Sequence, residues 1–197
     1  MKKLKLYTTA AATLVVLLSV FAFIPLNDVE GWYLAGSNPE SYEIGLVNDA
    51  ERNGNVAFLK SKKAVDGFGT IMQSFNPSNY LGKRVRLTGY IKSKDVENWA
   101  GMWFRVDGPE EGKSLAFDNM QQRPIKGTTK WKKYEIVLDV PENSTSMAFG
   151  VLQAGPGEVW LDDLEFEVVD KSIPTTDILN KRWERSGPQN LDFEGSK

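Results

Sequence analysis

The chain has 197 residues, of which 24 are Lys or Arg and 26 are Asp or Glu, and it contains no histidine and no cysteine. The length fits one domain with appended segments. The missing residue types exclude a Ser-His-Asp or Cys-His catalytic centre, disulfide bonds, and nearly all zinc, copper and haem ligation. Because both charge signs are mixed along the chain, nothing predicts a nucleic-acid-binding surface.

Residues 1–26 predict an export segment. Three lysines in MKKLK precede a run from Tyr7 to Leu26 without a charged residue, and Asp28 and Glu30 follow it. This order predicts a cytoplasmic N-terminus and an exported remainder. The run is also long enough to span a bilayer as a helix, so a cleaved signal peptide and a retained membrane anchor both fit. We therefore expect a secreted or membrane-anchored protein whose domain is extracellular.

Residues 27–170 consist of short aromatic and β-branched segments separated by turns rich in Gly, Pro, Asn and Asp. This spacing is typical of an all-β sandwich of two antiparallel sheets, and no long amphipathic helical pattern competes with it. Residues 171–197 are polar and contain Pro. They predict a tail that packs on the domain or stays mobile.

Alternation in the segment GMWFRVD assigns its side chains to two faces. Met102, Phe104 and Val106 lie on the predicted core face, whereas Trp103 and Arg105 point to the opposite, solvent face. Packing does not require an exposed indole, so the face that carries it is the candidate ligand surface. In SMAFGVLQA, alternation does not decide which face is core.

The predicted ligand-binding residues combine aromatic rings, which stack on the CH faces of sugars, with amides and charges, which bond hydroxyls. They are Arg86, Tyr90, Trp103, Arg105, Asp107, Asp118, Asn119, Gln121, Arg123 and Gln153. Two other interpretations remain open. In the first, the aromatic side chains pack under the tail or a loop. In the second, the charged side chains form ion pairs across neighbouring strands.

Several stretches carry a resemblance to known domains. EGWYLAGSNPESYEIG, GKRVRLTGYIKS, IKGTTKWKKYEIVLDVP and SMAFGVLQAGPGEVWLDDLEFE resemble carbohydrate-binding, galactose-binding-like jelly-roll modules. The first and last of these, with DGFGTIMQSF and FDNMQQRPIKG, are also similar to a bacterial domain often labelled AraC-type transcriptional regulator. The resemblance implies a jelly-roll β-sandwich. The chain has no helix-turn-helix pattern, so nucleic acid is not an expected partner.

Two consecutive aspartates, Asp162 and Asp163, interrupt the last predicted strand. The resemblance implies that Asp162 is partnered and that Asp163 is nearer to solvent. It also implies a structural calcium as one occupant, for which Asp162 would need further oxygens from Glu30 or Glu194. The alternative is a hydrogen-bonded or exposed turn carboxylate without metal, and no other cofactor is expected.

The sequence thus predicts a non-catalytic recognition module, most simply for carbohydrate or cell-wall polymer, with a membrane contact if residues 1–26 are retained. One alternative is an extracytoplasmic sensor or protein-interaction domain. Another is a carboxylate-dependent glycosidase or lyase that uses Asp163, Glu165 and Glu167, although a solvated outer face explains these acids more simply.

Overall fold

A computed structural model describes residues 29–62, 66–179 and 191. These residues form nine strands and one short 3-10 helix, Pro39–Ser41. The strands are β1 (Tyr33–Gly36), β2 (Tyr42–Asp49), β3 (Gly54–Ser61), β4 (Phe68–Phe75), β5 (Arg84–Asp107), β6 (Ser114–Asp118), β7 (Ile125–Asp139), β8 (Ser146–Ala154) and β9 (Glu158–Val169). No helix in this part of the chain is both long and apolar enough to cross a membrane. The predicted export segment lies outside the described residues.

The strands form two antiparallel layers that share the long strand β5. Its first half pairs with β7 and β9, and its second half pairs with β8 and β6. One sheet therefore has the order β1-β4-β8-β5-β6, and the other has the order β7-β5-β9-β3-β2. Register shifts between Ile91 and Ala100 mark where β5 bends from one sheet into the other. The predicted all-β sandwich, a jelly roll of two antiparallel sheets, is confirmed.

The core lies between the two sheets. Met102, Phe104 and Val106 are completely buried there, as alternation predicts. Aromatic rings fill one end of this core with edge-to-face contacts. The ring centroid of Phe166 lies 4.8 Å from that of Phe149 and 5.4 Å from that of Phe104. Such contacts add to the stability that burial of the rings provides.

Residues 171–179 continue from β9 and cover the free edges of two strands. The Thr176 N–H donates to the Val137 carbonyl at 2.8 Å, on β7. The Ile178 N–H donates to the Phe117 carbonyl at 2.8 Å, on β6, and the Phe117 N–H donates to the Asp177 carboxylate at 3.2 Å. This segment therefore satisfies backbone groups that an open sheet edge would expose.

Candidate ligand-binding cleft

A cleft of about 720 Å³ lies on the outer face of the β1-β4-β8-β5-β6 sheet. Its larger apolar side chains are Phe68, Met72, Trp99, Trp103, Phe117 and Leu152. Its polar side chains are Thr70, Asn98, Asn119 and Arg105, and small residues complete the lining. The size and the mixture of aromatic rings with a few polar groups are those of a small-molecule or glycan site.

Two glycines on this sheet let neighbouring backbone approach closely near the cleft. Trp103 on β5 is opposite Gly150 on β8, which is in turn opposite Met72 on β4. A Cβ at residue 150 would collide with the Ile71 carbonyl oxygen, so only glycine lets these strands approach. Gly101 has the same role beside the β6 turn, where a Cβ would come within 2.7 Å of the Asn119 carbonyl oxygen.

Trp103 forms the floor of the cleft. Its side chain lies on the face opposite the main core, as predicted, but only 6% of the residue is exposed. The prediction of a freely exposed indole is therefore wrong, because Leu152, Met72 and other apolar neighbours pack around the ring. The indole N–H donates to Thr70 Oγ1 at 2.8 Å, and this hydroxyl donates to the Val151 carbonyl at 2.9 Å. These bonds fix the ring in the floor.

The walls of the cleft carry the aromatic surface that a ligand can reach. Phe68 is 37% exposed, and Trp99 and Phe117 are half-buried. None of the three is in the predicted site. Trp99 could have been found, since alternation places it on the same face of β5 as Trp103. The other two lie on β4 and β6, strands that only the fold brings into the same sheet as this part of β5.

Asn119 lines the cleft at the start of the turn after β6. Its side-chain oxygen accepts a hydrogen bond from the Gln121 N–H at 3.1 Å, which orients the amide. The Gln121 side chain is exposed in this turn and is not part of the cleft lining. Of these two predicted residues, only Asn119 is placed to meet a ligand in the cleft.

Arg105 supplies the one charge in the described lining of the cleft. Its Nε donates to the Asp107 carboxylate at 3.0 Å, and Ser114 Oγ donates to the same carboxylate at 3.2 Å. The Arg105 side chain is 43% exposed. Asp107 thus holds the guanidinium from one side rather than lining the cleft itself.

Arg86 and Tyr90, both predicted as partners of Trp103, lie on the other sheet, so this part of the predicted site is wrong. Arg86 forms ion pairs with Glu167 at 2.5 Å and with Glu135 at 3.7 Å. Tyr90 lies under the guanidinium of Arg52, 4.1 Å from its ring centroid. Face alternation along β5 does not extend through the bend, where the strand changes sheets.

Three further predicted residues belong to the domain's internal structure. Asp118 is fully buried and accepts hydrogen bonds from the Arg123 guanidinium at 2.7 Å and from the Met120 N–H at 2.8 Å. Gln153 is fully buried on the core side of β8, where its amide donates to the Gly155 carbonyl at 3.1 Å. Asp118 and Gln153 cannot touch a ligand, and Arg123 neutralises the buried carboxylate.

The consecutive aspartates of β9 are explained by an arginine. Arg52 Nε donates to Asp162 at 2.7 Å, and a terminal nitrogen of Arg52 pairs with Asp163. Asp163 has a φ of 49°, and the register to β5 shifts between Thr88 and Tyr90, which together indicate a β-bulge. The bulge lets both carboxylates reach one guanidinium, although neighbours in a regular strand point to opposite faces.

This pairing favours the alternative in which Asp162 is a hydrogen-bonded carboxylate without metal. The hydrogen bond that Arg52 donates to Asp162 is the main cause of a raised Arg52 pKa, so the positive partner of this aspartate is a side chain. Glu30 is exposed in a turn, and Glu194 lies outside the described residues. Across residues 29–62, 66–179 and 191, no three acidic side chains are grouped as a metal site requires.

A second aromatic patch covers the outer face of the other sheet. Lys92 Nζ lies 5.0 Å from the Trp131 ring centroid and 5.1 Å from that of Trp160. The Trp131 N–H donates to Asp49 at 3.3 Å, and Asp49 also pairs with Lys92. Burial raises the pKa of Asp49, but the bond from Lys92 and weaker hydrogen bonds hold it below its ordinary value. The polar groups named here are partnered within the protein, whereas the terminal nitrogens of Arg105 in the cleft have no partner among the described residues.

Comparison with known proteins gives one sequence relative. No family model matches the chain. A Bacillus subtilis (strain 168) protein named as an uncharacterized HTH-type transcriptional regulator, YbfP, is 46% identical over 169 residues. The match covers 84% of this chain and 57% of that protein, so the chain spans little more than half of its relative's length. The name agrees only loosely with the AraC-type label in the resemblance.

Solved structures with a similar fold have low sequence identity. The enzymatically active domain of bacteriophage CBA120 tailspike protein 4 gives a TM-score of 0.56 at 12% identity, covering 74% of this chain and 20% of that one. A CBM22 xylan-binding domain from Paenibacillus barcinonensis gives a TM-score of 0.51 at 14% identity, covering 74% of this chain and 92% of that domain. The described domain thus has the β-sandwich fold of carbohydrate-binding modules.

Proposed function

We propose that the described domain binds carbohydrate without catalysing a reaction, and that the ligand lies in the cleft. The observation that carries the proposal is the composition of the lining, in which aromatic walls alternate with two amides and one guanidinium. Aromatic walls stack against the CH faces of sugar rings, and amides bond to their hydroxyls. The fold shared with a xylan-binding domain supports the same assignment.

The absence of acid groups from the cleft supports binding rather than hydrolysis. Glycoside hydrolysis requires two carboxyl groups about 5 to 9.5 Å apart across the scissile bond. The described lining contains no Asp or Glu side chain. The acidic residues considered from the sequence lie on β9 in the other sheet, where Asp163 is paired with Arg52 and Glu167 with Arg86.

Affinity electrophoresis of the full-length chain through gels that contain single polysaccharides tests the proposal. Phe68→Ala and Trp99→Ala remove stacking surface from the walls, and we expect each to weaken binding of the retained polysaccharide about tenfold. Trp131→Ala is the matched control, since it removes an indole from the opposite sheet. Circular dichroism checks the fold of each variant.

Two results would contradict this assignment. Binding that falls equally in the Trp131→Ala control would place the ligand elsewhere or indicate a general loss of structure. Failure of the wild-type chain to be retarded by any neutral or acidic polysaccharide would remove carbohydrate as the ligand. Trp103→Ala is not a suitable test, because this buried indole supports the floor and its loss would destabilise the domain.

A second candidate function is ligand sensing within a regulatory system, and the name of the Bacillus relative favours it. The described residues contain no α-helix, so they supply no helix for a DNA groove. In this proposal the domain recognises the ligand, and residues 1–26 place it outside the cell. Protease treatment of intact cells tests the location, and cross-linking in cells tests for a regulatory partner. A protected domain without cross-linked partners would contradict sensing across the membrane.

A further inference from the structure

We propose that the cleft selects glycans that carry an anionic group, which Arg105 binds. This inference rests on the proposed carbohydrate function and adds the class of sugar. Arg105 is the one charged side chain in the described lining, against ten apolar or glycine residues and three neutral polar ones. A ligand bound there meets a single positive group whose neighbours in the lining are apolar or neutral.

The guanidinium is held in place before a ligand arrives. Asp107 contacts it only through Nε, at 3.0 Å, and Ser114 fixes the carboxylate from behind at 3.2 Å. No other protein partner of Arg105 occurs among the described residues, so both terminal nitrogens remain available. Two parallel N–H groups on one guanidinium match the two oxygens of a carboxylate or a phosphate.

Space beside the guanidinium is also free. Arg105 is opposite Ala148 on β8 and Phe117 on β6. The alanine side chain is too short to cover the guanidinium, and the ring offers a stacking surface for the sugar that carries the charge. Because residues two apart on a strand are about 6.6 Å apart, a sugar over the Trp103 floor lies one ring-length from Arg105.

Nearby acids weaken this site without abolishing it. Asp107 neutralises part of the guanidinium charge, and Glu110 lies in the following turn, where Lys113 pairs with it at 3.1 Å. Both carboxylates are on the β5–β6 turn side of Arg105 rather than in the lining of the cleft. We therefore expect a moderate preference for anionic ligands, about tenfold at low salt.

The experiment compares each acidic polysaccharide with its own neutral form. Polygalacturonate, alginate and glucuronoxylan are run in affinity gels with the full-length chain, each beside its methyl-esterified form, which keeps the sugars and removes the charge. Poly(glycerol phosphate) serves as the phosphate arm. We expect at least one acidic polymer to be bound about tenfold more tightly than its ester, with a difference that shrinks as salt is raised. Retention by the phosphate polymer alone would contradict the proposal, because this polymer contains no sugar ring.

Variants connect the preference to one side chain. Arg105→Gln should remove the difference between acid and ester, and Arg105→Lys should keep part of it. Arg86→Gln, an arginine on the opposite sheet, should leave it unchanged. Equal binding of every acid and ester, without retention by the phosphate polymer, would overturn the anionic preference but leave carbohydrate binding intact. No binding to any polymer, neutral or charged, would overturn both.

Discussion

The ion pair between Asp118 and Arg123 gives the sharpest test of how this domain is held together. The carboxylate is fully buried, whereas the Arg123 side chain is 40% exposed. Removing the positive partner of a buried charge costs about 3–5 kcal/mol. Because water already reaches the guanidinium, we expect a smaller cost than this, about 2–3 kcal/mol, for Arg123→Ala. The Met120 N–H remains as a partner and limits the loss further.

Urea unfolding followed by tryptophan fluorescence measures this cost. With an m-value of about 2 kcal/mol/M, the transition midpoint should fall by about 1–1.5 M. Asp118→Asn combined with Arg123→Ala should recover at least about 1 kcal/mol, since it leaves no buried charge. Arg105→Ala breaks a more exposed pair and should cost less than about 1 kcal/mol. If Arg123→Ala costs no more than this control, the buried carboxylate does not depend on its arginine.

Three further predictions concern packing, the β2–β3 turn and pH. Gly150→Ala places a Cβ against the Ile71 carbonyl and should lower the free energy of unfolding by about 1–3 kcal/mol, measured by thermal denaturation. Arg52→Ala leaves two carboxylates of β9 unpaired and uncovers the Tyr90 ring. Urea unfolding should therefore show a free energy of unfolding lower by about 1–2 kcal/mol. An unchanged value would mean that the arginine does not stabilise the bulge. Burial raises the pKa of Glu158, so folding is favoured by its protonation below the unfolded pKa, and this contribution is lost as pH rises through the folded pKa. Glu158→Gln should therefore stabilise the domain at pH 7 and have no effect below about pH 4, and equal effects at both values would contradict the assignment.

The fold could be predicted because its information is local. Strand segments and turns recur along the chain, and period-two alternation correctly placed Met102, Phe104 and Val106 in the core. The same rule failed between Tyr90 and Trp103, although both lie on β5. Register shifts in the middle of this strand move it from one sheet to the other. Bulges of this kind depend on the neighbouring strands, and alternation along one segment does not reveal them.

The candidate site was harder to predict because residues from five strands, β1, β4, β5, β6 and β8, line it. Arg105 was found from its own strand, but Phe68 and Phe117 reach the cleft only through pairing between distant segments. Buried polar residues caused the opposite error, because they were included in the predicted site although the protein's interior holds them. Asp118 resembles a ligand-binding acid in sequence, and its true partner, Arg123, is five residues away. Sequence patterns assign residue types to faces, but they do not distinguish a partnered charge from a free one.

The two outer faces of the sandwich differ in whether their charged side chains have partners within the protein. On the β7-β5-β9-β3-β2 sheet, Arg52 and Lys92 are covered by aromatic rings and paired with aspartates, so that surface is internally satisfied. On the other sheet, a depression is lined by the small residues Ala35, Gly36, Gly67 and Ala154. One guanidinium there keeps its terminal nitrogens unpaired within the described chain. Both faces contain tryptophan and arginine. Aromatic and basic composition therefore does not distinguish the two faces, whereas the depression and the unpaired donors do, and we propose the face that has both as the binding face.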